Sequence, residues 1–136
     1  MLSDQTLAAA TAIQRKMYTS LTEVADLTDQ LAQAVDRRDQ VSVRMFLSMR
    51  QEEIDQLTNC KAILHRQCAE LPPEDGALLH QLLTGKVSQP PTSPDGQALL
   101  QQVERNRTLL ERVRRADGAV SRRLGGPTSY YAKNGK

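Results

Sequence analysis

Tryptophan is absent from the 136 residues, phenylalanine occurs once and tyrosine three times, so aromatics make up 3% of the chain. A chain this poor in large rings does not line a roomy catalytic pocket. Glycine and proline are missing from Met1 to Leu71, which removes the residues that break a helix and leaves long helices as the expected outcome. Of the seven glycines beyond it, those at 85, 96, 118, 125 and 126 follow no strand and lack the spacing of a phosphate-binding loop. Cysteine is limited to Cys60 and Cys68. Eight residues apart in one predicted helix, their backbones stand roughly 12 Å apart, too far to bridge, and free thiols suit a reducing cytosol.

His65 and His80 are the only histidines, one inside a predicted long helix and one in a short segment, so no nucleophile, base and carboxylate assemble into a hydrolytic triad. Cys60, His65 and Cys68 recur at i, i+5 and i+8, whereas helical metal ligands converge at i+3 or i+4. No enzymatic activity, cofactor or metal is therefore expected. No window approaches the 18 apolar residues of a membrane span, and Met1-Leu2-Ser3-Asp4 does not open a signal peptide. A cytoplasmic location and no membrane insertion follow as expectations.

What the chain does have is leucine, alanine, glutamine, arginine and glutamate, the composition of a thin aliphatic interior in an elongated bundle. Its length suits one domain spanning 1–136. Residues 1–72 hold 8 basic and 10 acidic side chains and residues 73–136 hold 10 and 6, so regional charges of −2 and +4 underlie the net +2. Capped by Ser3 or Asp4, a first helix carries Leu7, Ile13, Met17, Leu21, Val24, Leu27, Leu31 and Val35 as its stripe. The polar cluster Asp36-Arg37-Arg38-Asp39-Gln40 reads as a tight turn, with Asp39 capping the next helix, or as a continuous polar surface; the turn is favoured. A second helix from about Val41 to Leu71 ends at Pro72-Pro73. Arg50 and Lys61 fall on its apolar stripe, and snorkelling would take both charges to water. Glu74 to Leu83 forms a short third segment, and residues 85–96 read as a Pro-rich linker and the likeliest hinge. Ser93-Pro94-Asp95 supplies a hydroxyl cap, proline at the first helical position and a carboxylate at the positive end of the dipole.

The last helix is an amphipathic one. Leu99, Val103, Leu110, Val113, Val120 and Leu124 are spaced by 4, 7, 3, 7 and 4, which places them on one stripe facing another helix. That stripe either closes the bundle's own core or serves a partner's amphipathic helix; a tether at residues 85–96 would let it swing. Arg105, Arg107, Arg112, Arg114, Arg115, Arg122 and Arg123 raise nucleic acid as an alternative partner, but Glu104, Glu111 and Asp117 interleave with them and no stacking aromatic accompanies them in sequence. Glu52, Glu53 and Asp55 read as a solvated face. Asn106-Arg107-Thr108 matches a glycosylation sequon by chance.

Three features together suggest a family: Val103-Glu104-Arg105-Asn106-Arg107-Thr108-Leu109-Leu110-Glu111, the break at Leu124-Gly125-Gly126, and Tyr131-Ala132-Lys133-Asn134-Gly135. The chain resembles FlgN-type flagellar export chaperones, in which a helix with an Asn before a Leu/Ile pair precedes a Tyr-x-x-x-Gly tail. The joint at 35–40 and the helix beyond it look like that family's first two long helices. Departures are the long Pro-rich linker and a second tyrosine at 130; the spacing to Gly135 selects Tyr131.

The resemblance implies an all-α, elongated antiparallel bundle. It further implies a chaperone that binds the C-terminal helical segments of hook-filament junction (hook-associated) proteins and delivers them to the flagellar export apparatus. On this view Leu99, Val103, Asn106, Leu110, Val113 and Val120 hold the substrate protein, and Tyr131, in the tail 125–136, contacts the export gate. No small-molecule substrate is implied. Which junction protein is carried, and whether the chain is a monomer or a homo-oligomer, stay open at this stage.

Overall fold

The computed structural model describes residues 2–124; Tyr131 and the rest of the 125–136 tail lie outside the described residues. Among the described residues the chain forms α1 (Asp4–Asp36), α2 (Gln40–Ala69), α3 (Pro73–Thr84) and α4 (Pro94–Arg123). An all-α helical bundle is thus the fold, as composition and periodicity lead one to expect.

Each boundary has a local cause. Ser3 Oγ accepts from the Thr6 backbone N–H at 3.1 Å and caps α1. Residues 37–39 make the tight turn, with Arg38 in the left-handed region at φ 57. Asp39 then caps α2 by accepting from the backbone N–H and the hydroxyl of Ser42 at 3.1 and 2.7 Å. Those two bonds hold the Asp39 carboxyl below its ordinary pKa. Pro73 opens α3 at a position needing no N–H donor, and Gly85 ends it in the left-handed conformation at φ 71. Ser93 Oγ accepts from the Gly96 N–H at 3.1 Å, and Pro94 stands at the first turn of α4, as the Ser-Pro-Asp signal predicts.

α1 is the central element, packed along α2 and along α4, while α3 touches α2 and α4. Its buried residues Leu7, Ala10, Gln14, Met17, Leu21, Val24, Thr28 and Leu31 alternate steps of three and four, the seam of a coiled coil. A second row, Ser20, Leu27 and Ala34, is buried beside it, because one helix must satisfy neighbours on two flanks. α2 returns antiparallel to α1. α3 and the linker keep the chain at the same end, so α4 sets out beside the start of α1 and runs parallel to it: Asn106 meets Gln14, Asp117 meets Thr28, and Arg123 reaches Asp36 at 3.7 Å. Leu7, Ala10, Met17, Cys60, Leu64, Leu79, Leu82, Leu99 and Val103 make one core cluster at the end where all four helices gather.

One expectation is overturned. Arg50 does not snorkel to water; it is 2% exposed, and its charge is met inside the bundle. Lys61 does keep an exposed position.

Candidate functional site: the groove between α2 and α4

The α4 stripe closes the bundle's own core. Leu99, Val103, Asn106, Val113 and Val120 are buried, and Leu110 is half-buried at the margin. Two polar layers interrupt the packing. In the first, Asn106 Nδ2 donates to the Gln14 carbonyl at 2.8 Å and to Gln14 Oε1 at 2.5 Å, while Gln102 Nε2 donates to Asn106 Oδ1 at 3.1 Å. The buried amide side chains of this layer are thereby bonded to one another. In the second, Arg50 of α2 donates from Nε to Thr28 Oγ1 at 3.0 Å and from a terminal nitrogen to Asp117 Oδ1 at 2.6 Å. The Thr28 hydroxyl spends its own proton on the Val24 carbonyl at 2.7 Å. Burial raises the Asp117 carboxyl above its ordinary pKa, against the opposing pull of Arg50.

Beside the first of these layers and the end of α3, predicted site residues meet open space. A groove of about 200 Å³ runs over α1, floored by Gln14, Met17 and Leu21 and walled by Leu57 and Lys61 on one side and Val103, Asn106, Arg107 and Leu110 on the other, with Leu83 at the end. It continues across Gln14, Met17 and Lys61 into a second recess of about 370 Å³ beside His65, Cys68 and His80. The structure therefore brings Val103, Asn106 and Leu110 to one groove, and leaves Leu99, Val113 and Val120 out of it. Met17, Leu21 and Leu57 were invisible as site residues in sequence, because each reads as ordinary core on its own helix.

Some of the α4 arginines are engaged on the surface. Arg107 reaches Glu104 at 3.3 Å and donates to the Thr84 carbonyl, and Arg115 faces Glu111 at 3.8 Å. Arg105 and Arg112 border a shallow depression with Glu104 and Tyr18, an aromatic that only the fold brings beside them. Among the described residues, no group of three or more metal-ligating side chains assembles, and no helix is long and apolar enough to cross a membrane. No protein-family model, curated protein or solved structure matches the chain.

Proposed function

We propose that the protein is an export chaperone of the FlgN type, which binds an amphipathic helix from the C-terminal region of a flagellar junction protein in the groove between α2 and α4. The observation that carries this reading is the convergence of Val103, Asn106 and Leu110, residues the family resemblance implicates in holding substrate, on an apolar groove with Met17, Leu21 and Leu57. A groove of this size takes two or three aliphatic side chains of a visiting helix. Each is worth about 1.5 to 3 kcal/mol before ordering costs are subtracted, which suits the reversible grip of a delivery protein. Lys61 and Arg107 stand at the rim, so the fitting partner carries acidic residues beside its apolar stripe. Asn106 acts by holding the α4 wall to Gln14, and Tyr131 remains the proposed contact to the export gate.

Calorimetry with a C-terminal junction-protein helix tests the proposal. Binding in the micromolar range is expected, lost in Leu110→Asp with circular dichroism checking that the helical content is kept, and retained in Tyr131→Ala, which impairs export alone. No heat at tens of micromolar sinks the proposal.

A second reading, a basic helical regulator binding nucleic acid, draws on Tyr18 beside Arg105 and Arg112, since a base stacks on an exposed ring flanked by cations. A gel shift that weakens steeply with salt and vanishes in Tyr18→Ala supports it; a blank at low salt removes it.

A further inference from the structure

Gln14 holds a hydrogen-bond donor that the bundle does not use. Its orientation is fixed by a chain of bonds. The Gln14 backbone carbonyl can only accept, so the Asn106 atom bonded to it is the nitrogen Nδ2, and the Gln14 side-chain atom meeting the same Nδ2 is the oxygen Oε1. Asn106 Oδ1 in turn accepts from Gln102 Nε2. Gln14 Nε2 is left over, and among the described residues no acceptor is bonded to it. The residue is 5% exposed. Nε2 is nonetheless not sealed in, since among the described residues the enclosed side-chain atom that lacks a bond is Gln67 Oε1.

Gln14 lines both the groove beside Leu57 and the recess beside His80, and Met17, Lys61 and Leu83 are the other residues common to the two. The place where they join therefore combines an amide donor, an ammonium and apolar walls. Lys61 is exposed and pairs with no carboxylate among the described residues, whereas Arg107 is already held by Glu104 and the Thr84 carbonyl. Among the described residues no Asp or Glu lines the groove or the recess. An all-apolar stripe seated here would take Nε2 from water without replacing the bond, at the full cost of an orphaned donor.

We infer that this junction is the seat of one carboxylate from the partner helix, a Glu or Asp set within its apolar stripe, which accepts from Gln14 Nε2 and pairs with Lys61. The inference rests on the reading of the groove as a helix-binding site and sharpens it. Acidic residues at the rim steer any such helix. A carboxylate inside the stripe fixes its register, because sliding the helix by a turn strands the charge beside Leu21 and Leu57, and it sets such a helix apart from one whose stripe is aliphatic throughout.

Hexanoate, a carboxylate on a short aliphatic tail, tests the seat without any helix. Titrated into the isotope-labelled full chain, it should shift the Gln14 side-chain amide resonances saturably in the millimolar range, while hexanol, its neutral counterpart, leaves them in place. Gln14→Glu keeps an oxygen for Asn106 and puts a second where Nε2 stood; Lys61→Gln removes the cation at an exposed position. Each should weaken hexanoate binding by more than about threefold, read from the Met17 methyl signal, with the helical content unchanged by circular dichroism. No saturable shift, an equal response to hexanol, or Lys61→Gln binding as the parent does overturns the inference. A second arm uses a C-terminal junction-protein helix with Glu in its stripe and a twin with Leu there, the twin expected to bind about tenfold more weakly. Equal binding of the two overturns the seat and leaves the chaperone reading intact. A hexanoate response with neither helix bound ends the chaperone reading while the carboxylate seat stands.

Discussion

Arg50, Thr28 and Asp117 tie three helices together at one level, and their cost and value can be separated. A guanidinium taken out of water forfeits several kcal/mol of hydration, which its partners repay only together. Arg50→Ala is therefore expected to destabilise the fold by about 3 kcal/mol, leaving Asp117, 27% exposed, without its cation in a half-buried site. Replacing both ends, Arg50→Met with Asp117→Leu, should bring stability back to within about 1 kcal/mol of the parent, because an apolar pair of similar volume removes the desolvation cost. Urea unfolding of the two variants checks this, and a double variant as weak as the single one would falsify the account. The layer was half legible in sequence. In the α4 stripe the two steps of seven skip residues 106 and 117, and a regular three-four alternation puts a core position at each. Those skipped positions are the two polar layers. Arg50 likewise sat on an apolar stripe. What sequence did not supply was that Arg50 and Asp117, 67 positions apart, answer each other, since periodicity assigns a residue to a face and says nothing of who stands opposite.

At the scale of elements, helix starts were the most legible feature, because a cap is a local hydrogen bond between residues three apart; Asp39 and Ser93 both cap as their positions imply. The linker was less so. Pro and Gly in residues 85–96 suggest a loose tether, yet both glycines are packed closely. A Cβ on Gly96 would come within 2.6 Å of Pro91, and one on Gly85 within 2.5 Å of the Arg107 guanidinium. Composition reports neither neighbour, and at Gly85 that neighbour is the far end of the Arg107 side chain. α3 is seated in the same manner, for a Cβ on Gly76 would stand 2.5 Å from the Cys68 carbonyl oxygen at the end of α2. Alanine normally stabilises a helix over glycine by about 0.5 to 1 kcal/mol. At Gly76 the sign should reverse, with Gly76→Ala losing about 1 to 3 kcal/mol as α3 is pushed off α2. Thermal melting of Gly76→Ala decides it, and a raised melting temperature would show that α3 can shift at little cost.

Considered as a whole, the molecule is a single seam read twice, with α1 shared between α2 and α4, and this bears on how α4 can act. Leu99, Val103, Leu109, Val113 and Val120 are all buried by its docking. At about 1.5 to 3 kcal/mol for each side chain, re-exposing the five costs about 7 to 15 kcal/mol, the size of the entire stability of a typical domain. Swinging α4 outward on the linker is thus nearly the same event as unfolding, and a partner gains access more cheaply at the open groove than by displacing the helix. Native-state hydrogen exchange distinguishes the two. Amides of α4 from Leu99 to Val113 should exchange together with those in the middle of α1, with one free energy and one denaturant dependence, as a single cooperative unit. If the α4 amides instead exchange through a smaller opening while α1 stays protected, the helix does swing. The binding surface would then be the buried stripe itself, with Leu99, Val113 and Val120 joining Val103 and Leu110 in contact with the partner.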